Sequence, residues 1–320
     1  MKRALIIDLD GPASTPWHGR PSEAHAVSEL LSSNSDGTAN FEVSLESASD
    51  REFDRAGLGA SIFEHLYEAK TLALLYLKSH DPLRSVPLPF DEVLSLVGRS
   101  QAADKVLFLD IAGTGNGWSN QALASLAISE GMSVIASGHP GTGTADAARV
   151  SAFSVLLVRA LQGGGADLRG FVTPKGIFAL IDESLGATEY RPRCRTSGPR
   201  FVSVRSTAVP SVEKFLARLP QLFPSPQIGL RLDPSYEPTN TRALGEAFRE
   251  PGADRTHTTV MRELHRLVML GLVVPIGEDH LALAALNSRS CRLTALGMHY
   301  WRLAKKAAES IDGLRPEESA

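Results

Sequence analysis

Short apolar runs alternate with amphipathic stretches from the N-terminus to about residue 205. This is the pattern of a sheet whose strands are buried on both faces and joined by helices. Runs at 4–7, 41–45, 72–77, 105–111 and 133–136 read as strands. A helix is predicted over 22–31, where Ala24, Val27, Leu30 and Leu31 share a face, and another over 57–68 on Leu58, Ile62, Phe63 and Leu66. Further helices are predicted at 90–97, 119–130, 148–161 and 174–184. Pro82, Pro87 and Pro89 separate the third strand from the helix at 90. The order predicts an α/β fold, a three-layer α/β/α sandwich around a mostly parallel sheet.

The pattern changes after Tyr190. Prolines at 192, 199, 210, 220, 224, 226 and 234 punctuate the chain, with a short strand at 201–205 and a short helix at 211–218. The periodicity resumes with an amphipathic helix over 257–270 and a strand over 272–276. A second strand is predicted over 280–286, where Leu281, Leu283 and Ala285 alternate, and a last helix starts at Thr294, whose hydroxyl can cap it. The expected division is a domain over 1–205, a linker over 206–239 and a smaller domain over 240–320.

Composition narrows the setting more than the chemistry. With 320 residues there is room for a full α/β core and one smaller unit. A net charge of -3 provides no general attraction to nucleic acid or anionic membranes. Two cysteines, Cys194 and Cys291, make no disulfide framework, so a reducing cytoplasm is expected. Asp8 interrupts the first apolar run too early for a signal peptide, and the uncharged stretch 111–129 is too rich in Gly, Ser and Asn for a bilayer. A soluble cytoplasmic protein without a membrane partner is expected, and no cofactor or metal is called for.

Candidate chemistry concentrates at two strand ends. Tyr76-Leu-Lys-Ser-His80 closes one apolar run at a histidine, and Leu107-Phe-Leu-Asp110-Ile-Ala112-Gly-Thr-Gly115 closes another at an acid and a small-residue turn. These segments resemble the Tyr-Phe-Ser-Gly-His and Leu-Ile-Leu-Asp-x-Cys-His-Ser-Gly motifs of the caspase and metacaspase-type cysteine peptidases. The stretches 17–24 and 150–185 are similar to the same family in the same order. The tail from Leu272 to Trp301 is similar to bacterial members that carry a C-terminal winged-helix-like segment. The resemblance implies a caspase-like fold with His80 as general base, Ala112 at the nucleophile position, and Asp110 as an acid facing the substrate pocket.

The departures decide what the resemblance implies for chemistry. Ala112 has no nucleophilic atom, so no acyl-enzyme forms there. The glycine that usually follows the histidine is Asp81, a pocket-side carboxylate that opposes developing negative charge, with Lys78 a partial offset. Gly113 and Thr114 replace the family's histidine and serine. Several changes together point to natural loss. Neither remaining thiol is an evident substitute: Cys194 lies among Arg191, Arg193 and Arg195, which favour thiolate but give no route to His80, and Cys291 reads as a small core residue.

Two look-alikes carry less. Asp8 and Asp10 match the first motif of haloacid-dehalogenase-type phosphatases; Ser137 and Lys175 can be forced into the partner roles, but no late acidic pair ends a strand. Gly138–Ala145 has the glycines of a phosphate-cradling loop, yet Thr144 stands at the lysine position and Ala145 at the Mg²⁺-binding hydroxyl position.

Three functions follow. The leading expectation is a catalytically inactive caspase-like protein that recruits, inhibits or scaffolds a protein partner, such as an active peptidase or a bacterial defence component. The main alternative is a caspase-like endopeptidase carrying a Cys-to-Ala change at Ala112. The third is a DNA-binding regulator using Arg262 and Arg266 on the helix that would enter the major groove, with His265 beside them. Glu263 on that helix, and Glu278 and Asp279 at the hairpin tip, oppose phosphate contact, so protein docking is preferred.

Overall fold

The computed structural model describes residues 1–10, 22–80, 86–111, 128–138, 151–188, 190–198, 200–207, 210–242 and 248–312. Ala112, Asp81, residues 119–127 of the predicted helix and most of the Gly138–Ala145 loop lie outside the described residues, and 128–130 are not helical. The chain divides into two compact units, Met1–Ala208 and Val209–Ala320.

In the first unit the elements follow the order β1 (Lys2–Asp8), α1 (Glu23–Ser32), β2 (Glu42–Ser47), α2 (Arg55–Leu66), β3 (Leu72–Ser79), α3 (Phe90–Gly98), β4 (Asp104–Ile111) and β5 (Met132–Ala136). Then come α4 (Ala152–Arg159), β6 (Phe171–Val172), α5 (Pro174–Leu185), β7 (Arg193–Thr196) and β8 (Arg205–Ser206). Six strands form one sheet in the order β2-β1-β3-β4-β5-β7. The first five run parallel, and β7 is antiparallel to β5. This is the mixed α/β sandwich that the hydrophobic pattern predicts.

Strand alternation divides the core into two layers. Leu5, Ile7, Leu75, Leu77, Leu107 and Leu109 pack beneath Leu58 and Ile62 of α2 and Val93 and Val97 of α3. Ala4, Ile6, Leu74, Tyr76, Val106 and Phe108 pack on the opposite face against Val27 of α1, Leu157 of α4 and Ile177 of α5. Every residue of β3 is buried, which fits its continuous apolar run. Side-chain oxygens start the helices: Ser22, Asp54, Ser151 and Thr173 each accept a backbone N–H of the first turn.

The strand order reverses between β1 and β3, with β2 on one side and β4 on the other. At such a switch the outgoing loops diverge and leave a crevice at the carboxyl ends of the strands. The candidate residues lie at that edge.

The second unit is built from α6 (Pro210–Leu222), β9 (Leu230–Arg231), α7 (Arg255–Met269), β10 (Val273–Ile276), α8 (Leu281–Leu286), β11 (Ser290–Leu293) and α9 (Ala295–Asp312). Its three strands form an antiparallel sheet in the order β10-β11-β9. Met261, Leu264 and Leu267 of α7, Cys291 and Leu293 are buried, and Trp301 donates its indole N–H to the carbonyl of Phe223 at 2.6 Å.

Three expectations differ here. Residues 281–286 are a helix, not a strand: Leu281, Ala284 and Ala285 are buried at helical spacing, and a run of Leu and Ala without β-branching favours that state. The strand that pairs with β10 is Ser290–Leu293, further along. The short strand expected at 201–205 is limited to Arg205–Ser206, and the stretch 206–239 holds α6 and β9. The last helix does begin as expected, with the Thr294 hydroxyl accepting from Gly297 N at 3.0 Å. Among the described residues, no helix is long and apolar enough to cross a membrane.

Candidate functional site

In-register pairing of three parallel strands puts charges side by side. Asp8 on β1 is level with Lys78 on β3, and Lys78 is level with Asp110 on β4. Strand alternation turns Tyr76, Lys78 and Asp110 to the face covered by α1 and α4, with His80 just beyond the end of β3. The result is a buried polar cluster where apolar strands meet their loops.

His80 and Asp110 are in direct contact. The imidazole Nε2–H donates to Asp110 Oδ1 at 2.9 Å, and Nδ1 lies 3.8 Å from Asp10 Oδ2. The His80 backbone N–H donates to Asp10 Oδ1 at 2.5 Å, which fixes the residue as it leaves the strand. Behind Asp110, the Ser154 hydroxyl of α4 donates to Oδ2, and Ser151 adds another hydrogen bond. Since Ser154 has spent its proton on the carboxylate, the Tyr76 hydroxyl must donate to Ser154 Oγ, at 2.7 Å. Tyr76, Ser154, Asp110 and His80 thus form one continuous chain of hydrogen bonds.

Lys78 centres the other half of the cluster. Its ammonium lies 3.1 Å from Asp10 Oδ2, 3.6 Å from Asp8 Oδ2 and 3.8 Å from Glu23 Oε2. Asp8 Oδ1 also accepts from the backbone N–H of Asp10 at 3.1 Å.

The protonation states follow from these contacts. Burial works against the His80 cation, but the Asp110 carboxylate more than reverses it, so the imidazole titrates above its ordinary value. Burial likewise works against the Asp110 anion, yet His80 and the serine hydroxyls hold its carboxyl below the usual range. Burial works against the Lys78 cation too, and Asp8, Asp10 and Glu23 hold its pKa above the ordinary value. Asp8 moves the other way: burial, with Asp10 alongside, raises it despite Lys78. Burial lifts the Tyr76 phenol well above its ordinary value, so it stays a donor. Both shifts favour the charged forms, imidazolium against carboxylate.

These contacts revise several expected roles. Asp110 is fully buried with both oxygens engaged, so it holds His80 and the α4 serines and is not open to the side chain of a bound peptide. Asp8 spends its oxygens on Asp10 and Lys78, which leaves neither free for the nucleophilic role in phosphatase chemistry. Ser137 accepts from the Ile111 backbone N–H at 3.2 Å and ties the end of β4 to β5.

The two thiols are no substitutes. Cys194 sits on β7, which is separated from β4 by β5, and pairs with Ile135. Burial pushes its thiol up to about 11 against a smaller pull from Lys175, so the arginines around it in sequence do not make it a thiolate. Cys291 is fully buried in the second unit, and burial pushes it up to about 12.

The arginines proposed for nucleic acid are partly committed within the second unit. The Arg266 guanidinium lies over the Phe215 ring at 4.7 Å. Arg262 donates to Thr259 Oγ1 at 3.1 Å, one helical turn back on its own helix. Glu263 on the same helix accepts from Arg218 Nε at 2.8 Å.

Sequence reading found His80, Asp110 and Lys78 but missed how Asp10, Glu23, Tyr76, Ser151 and Ser154 join them. Polar residues ending apolar runs were the available signal; which of them meet depends on strand order and on the placement of α4.

Comparison with known proteins adds a limited context. No protein-family model matches the chain, and no curated protein matches it. Among solved structures it is similar to drICE, with 13% identity, a TM-score of 0.45, and a match covering 63% of this chain and 90% of that one. It is also similar to protein GSU0716 from Geobacter sulfurreducens, with 15% identity, a TM-score of 0.43, and coverage of 65% and 99%. A third is pro-sf-caspase-1, with 12% identity, a TM-score of 0.39, and coverage of 64% and 91%.

Proposed function

We propose that the first unit is a caspase-like domain without peptidase chemistry, and that the protein acts by binding a protein partner. A setting in bacterial defence or regulated proteolysis, inside the cytoplasm, belongs to this reading. The observation that carries it is the set of contacts around His80. Both ring nitrogens face carboxylates, Asp110 at 2.9 Å and Asp10 at 3.8 Å, an arrangement that favours the protonated imidazole over one free to accept a proton from a nucleophile. The sequence agrees, because Ala112 stands where the resemblance expects a thiol and both cysteines of the chain lie elsewhere.

The second reading, an endopeptidase carrying a Cys-to-Ala change at Ala112, draws support from the intact His80–Asp110 pair, since an aspartate beneath a histidine also orients catalytic imidazoles. One experiment separates the two. Ala112→Cys and the double variant Ala112→Cys/His80→Gln are incubated with a mixed library of fluorogenic peptides, and cleavage is followed together with self-cleavage of the chain. Our reading expects no cleavage above that of the unaltered protein. Turnover by Ala112→Cys that vanishes in the double variant would establish the peptidase instead.

A further inference from the structure

The second unit carries an exposed sheet face whose chemistry is unlike that of the buried cluster. Strand register brings Val274 opposite Arg292, Ile276 opposite Ser290, and Ser290 opposite Arg231. Their sheet neighbours Val273, Cys291 and Leu293 are buried, so the first set points outward. Val274 and Ile276 are 36% and 40% exposed, and Arg231, Arg289 and Arg292 are exposed around them. One end of this face is concave. A cleft of about 490 Å³ is lined by Arg231, Arg289, Ile276 and the hydroxyl-bearing Ser288 and Ser290. Gly229 and Gly277 form its remaining walls.

We propose that this face binds an acidic peptide segment of a partner protein, with carboxylates flanking an aliphatic side chain. The argument is charge complementarity. Among the described residues, Arg231, Arg289 and Arg292 have no carboxylate or other side-chain partner. Other arginines of the same unit do: Arg218 meets Glu263, Arg242 meets Glu250, and Arg249 meets Asn287. A planar guanidinium donates two parallel N–H bonds to a carboxylate, and two of them lining one concavity, with Arg292 further along the same face, favour several acids in sequence. The aliphatic centre selects a peptide over a phosphate backbone, which offers nothing to bury on Ile276 and Val274. Glu278 and Asp279, on the turn after β10, repel any anion, and a polyanion as dense as DNA more than a peptide whose acids are spaced by aliphatic side chains.

The test uses the full chain and a fluorescein-labelled peptide of alternating glutamate and leucine, read by anisotropy at about 50 mM salt. A duplex DNA oligonucleotide of equal length in nucleotides is the second probe. Binding of the peptide should weaken about tenfold or more in R231E/R289E. It should weaken less in R231K/R289K, which keeps the charge but not the paired N–H geometry, and be unchanged in R255E, which alters an exposed arginine on α7, and circular dichroism should show all variants folded. The proposal is overturned by absence of peptide binding, by equal loss in R255E, or by tighter binding of the duplex through the same arginines.

Discussion

The carboxyl edge of the central sheet and the outer face of the three-stranded sheet both gather charged side chains, yet put them to opposite use. At the first, Lys78 is enclosed by Asp8, Asp10 and Glu23, and His80 is held by Asp110. At the second, Arg231, Arg289 and Arg292 stand exposed without such partners among the described residues. Charges removed from water must find partners within the chain, because leaving one alone costs several kcal/mol. Exposed charges carry no such requirement and are free to meet another molecule. The contrast teaches that the most conspicuous polar cluster among the described residues is committed to its own fold, whereas the plainer surface keeps its charges exposed.

The largest expected effect breaks the enclosed cluster. Lys78→Met removes the cation that Asp8, Asp10 and Glu23 share and leaves buried carboxylates facing one another. A loss of about 4 kcal/mol is expected in urea unfolding near neutral pH. A loss below about 1 kcal/mol would mean that the cluster is open to water and that the comparison fails. Asp110→Asn should cost somewhat less, about 3 kcal/mol, since the histidine can respond by releasing its proton.

Next comes pH. His80 has a raised folded-state pKa, so its stabilising contribution is complete below the unfolded imidazole's value and is lost as pH rises through the folded value. Asp110 has a lowered one, so its contribution is complete above the unfolded carboxyl's value and is lost as pH falls through the folded value. The pair therefore stabilises the first unit most between those two limits. Thermal melts from pH 5 to 9 should show a decline on the alkaline side that His80→Gln abolishes. A decline of the same size in His80→Gln would assign it to other groups.

Tyr76→Phe should cost about 1 kcal/mol, because it removes one hydrogen bond and leaves Ser154 paired to Asp110. The smallest effect is the most pointed. Arg231→Ala should change stability by less than about 0.5 kcal/mol, as expected of an exposed side chain without partners. A cost above about 1 kcal/mol, read by the same urea titration, would give this arginine a structural task and erase the difference between the two regions.

The parts legible in the sequence were those that depend on one element at a time. The apolar run of β3, the strand β4 ending near Asp110, the helix that follows Ser22 and the cap at Thr294 follow from local pattern and chemistry. Less was legible wherever two elements had to be placed together. Asp8 and Asp10 suggested a phosphatase motif until the pairing of β1 with β3 set Lys78 beside them. Ser154 was one serine among many, and only the packing of α4 on the sheet brings it to Asp110. Residues 281–286 were read with the wrong period because alternating Leu and Ala satisfies a strand and a helix alike over so short a run.

The account rests on His80 being a held cation, and its imidazole can be observed directly. With ¹⁵N-histidine labelling and His80→Gln to assign the signals, NMR across pH 5 to 9 reports the protonation of both ring nitrogens. We expect a doubly protonated ring at pH 6.5 that titrates above that value, and a return toward ordinary behaviour in Asp110→Asn. A His80 ring that is neutral at pH 6.5, or whose titration ignores Asp110, would contradict the account.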